Sequence, residues 1–352
     1  LHANLKHLIF MRIFRNLLIA ALLPLLACCG KKTQATGESP EWVIVETDIA
    51  SSFDDIIALD LLHRANRQGL YELKAVMVNR EGTENARIAD IMNCYYKHPE
   101  IPIGTVRDGV ENPPLFIDYW KMGYPDRFAD EPRMATSLTD AQLEQLPDAE
   151  TLYRQLLVQA PDSSVNIVSI GFTTNLARLL YSQPDQYSPL SGTDLVRQKV
   201  KALYIQAGDF GDDPEADFNF RQDPENARTV MSLWPSAIYF SPMNAGQPYH
   251  YLPQDVLADL EAAGMKDSPV YHAYAHHPES EGQCMWDAMC TLQLLRPELF
   301  RFQGPFDAYL DSALVLRFRS NPAGRHYVQE APATDAERDS VLTVLRTLLR
   351  RK

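Results

Sequence analysis

Three aspartates near the start of the chain lie close enough in sequence to form one acidic site. Asp48, Asp54 and Asp55 fall between an apolar run and a segment with helical spacing. Carboxylates that face one crevice repel each other, so such a cluster needs a cation. Ca²⁺ or Mg²⁺ suits it, because both prefer oxygen ligands and no His or Cys lies near enough in sequence to indicate a softer metal. The alternative is a capped helix start with solvated acids, and this segment alone does not decide.

A second polar group lies further along the chain. Asp217 and Asn219 are two residues apart, so in an extended segment their side chains point the same way. A carboxylate beside an amide suits the vicinal hydroxyls of a sugar. The alternative is an Asx-rich turn with Asp223 as a helix cap. Asp287, at the start of a predicted helix, is either an N-cap or a ligand.

Apolar runs alternate with segments of helical spacing along most of the chain. The predicted strands are 42–48, 72–79, 101–104, 165–171, 200–208 and 236–242, with a short strand pair around 309–330. The predicted helices are 54–66, 83–97, 150–159, 174–182, 223–233, 253–265, 284–296 and 335–350. This alternation predicts the α/β class, with an open, mostly parallel sheet flanked by helices.

Polar residues follow these strands at the point where each strand ends. The positions concerned are Asp48, Asn79, Thr174, Asp217 and Asn219. Ligands of open α/β sheets bind beyond the carboxyl ends of the strands. We therefore expect these side chains to meet in one crevice.

The composition excludes several classes of protein. The chain has 352 residues, 45% of them hydrophobic, with Lys+Arg 33 against Asp+Glu 46 and a net charge of −13. This balance is typical of a globular protein and excludes wholesale disorder or a fibre. The acidic surplus argues against nucleic-acid binding, which needs surplus Lys and Arg to neutralise phosphates.

The first 27 residues read as a targeting segment. Arg12 and Arg15 precede the apolar run 17–26, which is short for a membrane span and typical of a signal peptide. The sequence Leu-Leu-Ala-Cys ending at Cys28 resembles the lipobox of bacterial lipoproteins. It predicts lipidation of Cys28 and a cell-envelope location, periplasmic or at the outer membrane. The alternative is a buried helix or a membrane anchor.

These features predict three parts of the chain. Residues 1–27 are a signal peptide with an upstream extension, residues 28–40 are a polar tether, and residues 41–352 are a single domain. Cys284 and Cys290 could pair in an oxidising periplasm, although their spacing alone does not show it. Aromatic residues of the long loop region 105–150 either cover the site as a lid or hold the loop down; they are Tyr119, Trp120 and Tyr124.

Four segments together resemble the signature regions of the nucleoside hydrolases, the inosine–uridine-preferring class. They read VETDIASSFDD, IGFTTNLA, ADFNFRQDPENA and MWDAMCTLQLLRPELF, and the likeness covers roughly residues 41–330 in the same order. The segments AVMVN and YYKHPEIPIG also resemble the second and third strands of a divergent branch often seen as secreted bacterial proteins. The resemblance implies a Rossmann-like α/β core that binds one Ca²⁺.

The resemblance also implies roles for individual residues. Ca²⁺ would be held by the carboxylates of Asp48, Asp55 and Asp287 and by the backbone carbonyl of Thr174. Asp48 would also be the general base for the attacking water. The ribose hydroxyls would be held by Asp54, Asn79, Asp217 and Asn219. The implied reaction is hydrolysis of an N-glycosidic bond through an oxocarbenium-like state.

The chain departs from the family pattern at several positions. Glu46 replaces the first Asp of the usual DTDPG motif, and Asp217 replaces a Glu. Gly211 stands where the family has Asn, and Trp286 where it has the His that helps protonate purine leaving groups. Trp286 is expected to stack on a base or sugar instead. Other candidates for the missing acid are His272, His276 and His277.

The function expected from these features is Ca²⁺-dependent hydrolysis of a nucleoside or related riboside by a protein that a lipid tethers to the membrane. The main alternative is a non-catalytic or repurposed sugar-binding lipoprotein on the same scaffold. A haloacid-dehalogenase-like phosphatase is disfavoured, because Glu46 occupies the place of its nucleophilic Asp. The sequence leaves open whether the protein forms a homo-oligomer.

Overall fold

The first strand of the chain, β1 (Trp42–Thr47), lies inside the sheet, and its residues after Trp42 are almost fully buried. Strands covered on both faces form continuous apolar runs, which explains the sequence of this segment. In this computed structural model β1 pairs in parallel with β2 (Glu72–Val78) on one side and with β4 (Val165–Ser169) on the other. The structure describes residues 40–49, 52–110, 134–211, 213–275 and 283–351.

Nine described strands form one sheet, in the order β10-β9-β11-β6-β5-β4-β1-β2-β3. The other strands of this sheet are β3 (Ile103–Gly104), β5 (Val200–Gln206), β6 (Ala237–Ser241), β9 (Phe302–Leu310), β10 (Leu316–Ser320) and β11 (His326–Gln329). In this order the pairings from β3 to β11 are parallel, and β9 is the one described strand that runs the other way, antiparallel to both β11 and β10. A separate antiparallel pair consists of β7 (His250–Tyr251) and β8 (Gln283–Cys284).

Helices cover both faces of the sheet over two apolar cores. In the first half of the chain they are α1 (Asp54–Arg67), α2 (Thr83–Tyr95), α3 (Asp140–Leu143), α4 (Ala149–Gln159), α5 (Thr174–Tyr181) and α6 (Gly192–Lys199). In the second half they are α7 (Phe218–Gln222), α8 (Pro224–Leu233), α9 (Met243–Gly246), α10 (Pro253–Ala262), α11 (Pro269–Ala275), α12 (Trp286–Leu295) and α13 (Asp335–Leu349). Within the described part of the chain, no helix combines the length and apolarity that a membrane span requires.

The predicted α/β class and the open, mostly parallel sheet are confirmed. The prediction of a strand pair around 309–330 is wrong, because three strands form there. The four-residue β11 pairs with β6 in parallel, which its own short sequence does not reveal. The unpredicted helices α7 and α9 have only five and four residues, too few to show helical periodicity.

Several predictions concern residues outside the described ranges. They involve Cys28, the boundaries 1–27 and 28–40, the aromatic residues Tyr119, Trp120 and Tyr124, and the histidines His276 and His277. The domain boundaries therefore stay predictions. The chain from Pro40 to Lys352 forms one compact unit by its internal contacts.

The sheet reverses its winding direction between β1 and β4. From β1 the chain proceeds outward through β2 and β3, whereas from β4 it proceeds the other way through β5 and β6. A crevice opens at the carboxyl ends of two neighbouring strands where this reversal occurs. The reversal therefore places the segments after β1 and β4 side by side.

The C-terminal helix α13 packs its apolar stripe onto the core. Val341, Leu345 and Leu349 recur at helical spacing, and each is at least 96% buried. On its polar side, Arg346 Nε lies 2.7 Å from a carboxylate oxygen of Asp259 on α10. The helix thus closes one face of the domain.

Replacement of Leu345 by Ala is expected to lower the free energy of unfolding by about 2–5 kcal/mol, because it leaves a cavity in a dry core. Urea unfolding measures this change. Thr347→Ala, on the exposed side of the same helix, is the control and should change it by less than about 0.5 kcal/mol. Equal effects of the two variants would contradict the packing of α13.

Candidate functional site

A cavity of about 240 Å³ opens at the carboxyl ends of β1, β4 and β5. Asp48 follows β1, Ile170 follows β4, and Gln206 ends β5. The full lining is Asp48, Ser52, Ile170, Gln206, Asp217, Phe218, Asn219, Met243, Gln283, Trp286 and Asp287. The cavity therefore lies where the strand-end rule predicted it, and five predicted site residues line it: Asp48, Asp217, Asn219, Trp286 and Asp287.

The first turn of α1 lies directly behind this lining. Asp55 is fully buried and accepts a hydrogen bond at 2.6 Å from the Thr47 hydroxyl. Asp54, also fully buried, accepts one at 2.5 Å from the Ser52 hydroxyl. The acids at the helix start therefore bond to hydroxyl groups inside the protein. The alternative prediction of a helix start with solvated acids is wrong.

Asp54 joins the starts of two helices that are distant in sequence. Its Oδ2 accepts a hydrogen bond at 2.9 Å from the backbone N–H of Asp287, the second residue of α12. Its Oδ1 lies 3.2 Å from the amide nitrogen of Gln283, whose Oε1 accepts the backbone N–H of Phe53. Asp54 thereby positions Asp287 beside the acids that follow β1.

The buried carboxylates influence each other's protonation. Burial raises the pKa of Asp54 to about 6, and the charge of Asp48 adds to that shift. Burial, followed by the charges of Asp48 and Asp54, raises the pKa of Asp55 well above its usual range. The pKa of Asp287 is likewise raised, first by burial and then by the neighbouring aspartates. A cation among these groups would offset the repulsion.

The donor chemistry of this cluster fits Ca²⁺, because every nearby ligand candidate is a hard oxygen. Among the residues that the structure describes, however, no three His, Cys, Asp or Glu side chains are arranged as a group that could hold an ion. Thr174 lines a second cavity, of about 380 Å³. Its hydroxyl donates to Asp223 at 2.8 Å.

Asp217 and Asn219 both line the cavity, but not in the extended geometry expected for them. Asp217 is the N-cap of the short helix α7, and its Oδ1 accepts the backbone N–H groups of Asn219 at 2.9 Å and Phe220 at 3.4 Å. The Asn219 amide donates to Gln206 at 3.0 Å. Burial raises the pKa of Asp217 to about 7. The capped turn therefore aims both groups at the cavity.

Asp223 does more than begin a helix. Its Oδ2 accepts hydrogen bonds from the hydroxyls of Thr173 at 3.2 Å and Thr174 at 2.8 Å, and its Oδ1 accepts one from Asn226. Its side chain accepts no backbone N–H of α8 as a cap would, so its bond to that helix is the one from the Asn226 side chain, and the prediction of Asp223 as a helix cap is wrong. Asp223 thus ties the start of α5 to the start of α8.

Asn79 belongs to a buried network behind Asp48. Its amide and that of Asn175 each donate to Oε2 of Glu46 at 3.0 Å. Its Oδ1 accepts the backbone N–H of Phe172 at 3.2 Å. Burial raises the pKa of Glu46 from 4.5 to about 8. In this structure the Asn79 side chain serves the internal network rather than the cavity lining.

Gly171 permits the close approach of this network to β1. A Cβ at this position would lie 2.5 Å from the backbone nitrogen of Asp48 and 2.6 Å from Oδ1 of Asn79. Backbone atoms cannot yield as flexible side-chain ends do, so a larger residue would displace Asp48. The glycine therefore helps to set the position of the candidate base.

Trp286 is held firmly in the cavity wall. Its indole N–H donates to the backbone carbonyl of Met243 at 3.1 Å. The indole also packs on α9, where a Cβ at Gly246 would lie 2.5 Å from its Cδ1. Because the N–H has a backbone partner, the ring rather than the N–H is what Trp286 presents to a ligand.

Several lining residues were not predicted from the sequence. Gln206 ends β5 and could have been found by the strand-end rule, whereas Gln283 lies on β8 and carries no comparable signal. Met243 and Phe218 are the first residues of the short helices α9 and α7, which place them on the lining. Of the predicted candidates, His272 lies on α11 and is not part of the lining. Cys284 and Cys290 are both free thiols.

Comparison with known proteins identifies the class. Residues 43–339 match the inosine-uridine preferring nucleoside hydrolase family. Since this match spans most of the chain, the protein belongs to that family. No curated protein matches the chain.

Solved structures share the fold at low sequence identity. A plant nucleoside hydrolase is 18% identical, with a TM-score of 0.63 and coverage of 89% of this chain and 100% of the other. The inosine-uridine preferring nucleoside hydrolase from Bacillus anthracis is 18% identical, with a TM-score of 0.62 and coverage of 87% and 99%. The purine-preferring ribonucleoside hydrolase from Gardnerella vaginalis is 14% identical, with a TM-score of 0.61 and coverage of 88% and 99%. Identities this low establish the fold alone.

The stability of the protein is expected to fall as the pH rises from about 5 to about 8, because the raised pKa of Glu46 keeps it protonated in the folded state over that range. The folded state then binds more protons than the unfolded state. Glu46→Gln, which cannot ionise, should lose less stability across this range in urea unfolding with Ca²⁺ chelated. The exposed Glu144→Gln is the control and should keep the wild-type slope. A Glu46→Gln slope equal to the wild-type slope would contradict the prediction.

Proposed function

We propose that this protein hydrolyses the N-glycosidic bond of a nucleoside or related riboside in a Ca²⁺-dependent reaction. The observation that carries the proposal is the cavity in which Asp48, Asp217 and Asp287 meet beside the amides of Asn219 and Gln206. Departure of a base leaves positive charge on the sugar, and surrounding carboxylates stabilise such an oxocarbenium-like state. Family membership supports the same bond type.

The site residues predicted from the sequence have proposed roles in this reaction. Asp48, on the cavity lining after β1, removes the proton from the attacking water as general base. Asp217 and Asn219 bind the ribose hydroxyls, since the cap geometry occupies only one carboxylate oxygen of Asp217. The family resemblance adds Asp54 and Asn79 to this proposed set, although in this structure their side chains bond to other protein groups just behind the lining.

Asp48, Asp55, Asp287 and the backbone carbonyl of Thr174 are the proposed ligands of Ca²⁺. When bound, Ca²⁺ would lower the pKa of a nearby water and so ease its deprotonation. Asp54 supports this arrangement from the protein side, because it holds the backbone of Asp287 and keeps α12 close to α1.

A second candidate is a sugar-binding protein on the same scaffold. Trp286 favours it, because the indole N–H is bound to Met243 and does not protonate a leaving group. An aromatic ring beside carboxylates and amides is also a common way to bind a sugar. The two candidates differ in whether bound riboside is cleaved.

We further propose that the protein is a lipoprotein of the cell envelope, acylated at Cys28. The charge pattern, apolar run and Leu-Leu-Ala-Cys sequence of the first 28 residues support this. The domain after residue 40 would then act outside the cytoplasm on ribosides in solution.

Ribose release by the full chain, purified in detergent, is expected to need both Ca²⁺ and Asp48. Asp48→Asn should lower kcat/KM by about 10²–10⁴-fold, the usual contribution of a general base. EGTA should abolish release and added Ca²⁺ should restore it. Asp213→Asn, an exposed acid of the loop before α7, is the matched control and should keep full activity.

Two results would overturn this proposal in different ways. Binding of ribosides without any release would favour the sugar-binding candidate. Failure of calorimetry to detect Ca²⁺ binding would remove the ion from the proposed mechanism.

Cells that express the protein with labelled palmitate are expected to incorporate the label, and Cys28→Ser should abolish incorporation. Cys29→Ser is the neighbouring control and should keep the label. Label that persists in Cys28→Ser would contradict lipidation at this residue.

A further inference from the structure

A separate cavity of about 280 Å³, here called the α13 cavity, lies beyond the carboxyl end of β11. Its walls are segment 298–301 after α12, segment 330–332 after β11 and the first two turns of α13, and Tyr249 also lines it. Among the described residues, none lines both this cavity and the one that contains Asp48. Since β11 runs parallel to β6, the α13 cavity lies at the strand ends where open α/β sheets bind ligands.

Tyr249 presents to the α13 cavity a hydroxyl that bonds to no described residue. The residue is only 2% exposed, and its backbone pairs with Gly246 at 3.0 Å and Met285 at 2.9 Å. Burial, followed by the charge of Glu337 on the cavity wall, raises the pKa of Tyr249 to about 12, so the hydroxyl stays protonated and faces that wall. A buried hydroxyl without a partner costs free energy, and a ligand in the cavity would supply the partner.

Two carboxylates of the α13 cavity share one guanidinium. Arg301 lies 2.8 Å from Glu330 through its Nε and 2.8 Å from Glu337 through its Nη1. The other oxygen of Glu330 accepts a hydrogen bond from Gln303 at 3.0 Å. Glu337 bonds through Oε2, which also accepts the backbone N–H of Ala333 at 2.9 Å, and its Oε1 has no partner among the described residues. The cavity therefore keeps one negative charge, which is most accessible at Oε1 of Glu337.

The rest of the lining is apolar or already paired. Glu298 pairs with Arg296 at 2.5 Å, outside the cavity. Arg338, whose charge also acts on Tyr249, pairs with Asp335 at 2.8 Å and Asp339 at 2.9 Å. The larger apolar members of the lining are Leu299, Phe300, Pro332 and Val341. A ligand that fits must therefore carry a hydrogen-bond-donating cation on an apolar body.

We propose that the α13 cavity is a second binding site, which takes a small organic cation with a primary ammonium group on an apolar body. The ammonium donates to Oε1 of Glu337 and to the hydroxyl oxygen of Tyr249, and the apolar body packs against Phe300 and Val341. A cavity of about 280 Å³ is near the lower limit for ligand pockets, so the ligand is small. This site is independent of the hydrolase activity proposed above.

The test measures binding of two probes to the full chain by calorimetry, in detergent and Ca²⁺-containing buffer at neutral pH. The probes are 2-phenylethylammonium and 2-phenylethanol, which share one apolar body and differ in the charged group. We expect the ammonium probe to bind about tenfold more tightly or better, because only its hydrogen bonds are charge-assisted.

Variants of the cavity wall test the two proposed contacts. Glu337→Gln removes the charge and should weaken binding of the ammonium probe by about tenfold, and Tyr249→Phe removes only the hydroxyl and should weaken it by about threefold. Asp339→Asn, an exposed acid of the same helix outside the lining, is the matched control and should keep the affinity within about twofold. Asp217→Asn alters the other acidic cavity and should also keep it. Thermal unfolding checks that each variant is folded.

Three results would overturn the proposal. Equal binding of the two probes would show that charge plays no part in recognition. Binding that is lost in Asp217→Asn and kept in Glu337→Gln would place the cation in the cavity beside Asp48. Absence of binding at millimolar concentrations of the ammonium probe would show that the α13 cavity takes no such ligand. None of these results bears on ribose release, which is measured separately.

Discussion

Repulsion between carboxylates that are buried together is the constraint on which the rest of the site depends. Asp48, Asp54, Asp55 and Asp287 share one region at the end of the sheet, and the charges of the others raise the pKa of Asp55 and Asp287 beyond the effect of burial. Hydroxyl donors from Thr47 and Ser52 offset part of this repulsion. The apolar cores on both faces of the sheet must supply the stability that such a cluster costs.

The sheet topology explains how distant residues share this region. The reversal between β1 and β4 opens the crevice, so the residues that follow these strands are neighbours by topology. Asp287 reaches the crevice differently, because α12 follows neither strand. The hydrogen bond from its backbone to Asp54 spans 233 positions of the sequence and joins the two halves of the acidic cluster.

Some site residues are placed by the ends of strands and others by contacts between distant segments. This contrast also explains which parts of the structure can be predicted from the sequence. Asp48, Asp217, Asn219 and the alternating elements follow from periodicity and strand ends, which are local signals. The partners of Asp54 and the parallel pairing of β11 with β6 depend on contacts between distant segments, so local patterns do not encode them. Neither prediction for the segment around Asp217 was fully correct. The segment is not extended, and its cap is Asp217 rather than Asp223, because Asp217 satisfies two backbone N–H groups of α7.

Two of the departures from the family pattern affect different parts of the site. One lies in the buried hydrogen-bond network and the other in the cavity wall. Glu46 is one methylene longer than the Asp it replaces, and its Oε2 reaches the amides of both Asn79 and Asn175. It therefore joins the end of β2 to the start of α5 behind Asp48, without entering the cavity. Trp286, in contrast, lies in the cavity wall and its N–H is bound to Met243. Glu46 thus acts in the buried network behind Asp48, whereas Trp286 acts in the cavity wall, so these two departures alter different parts of the site.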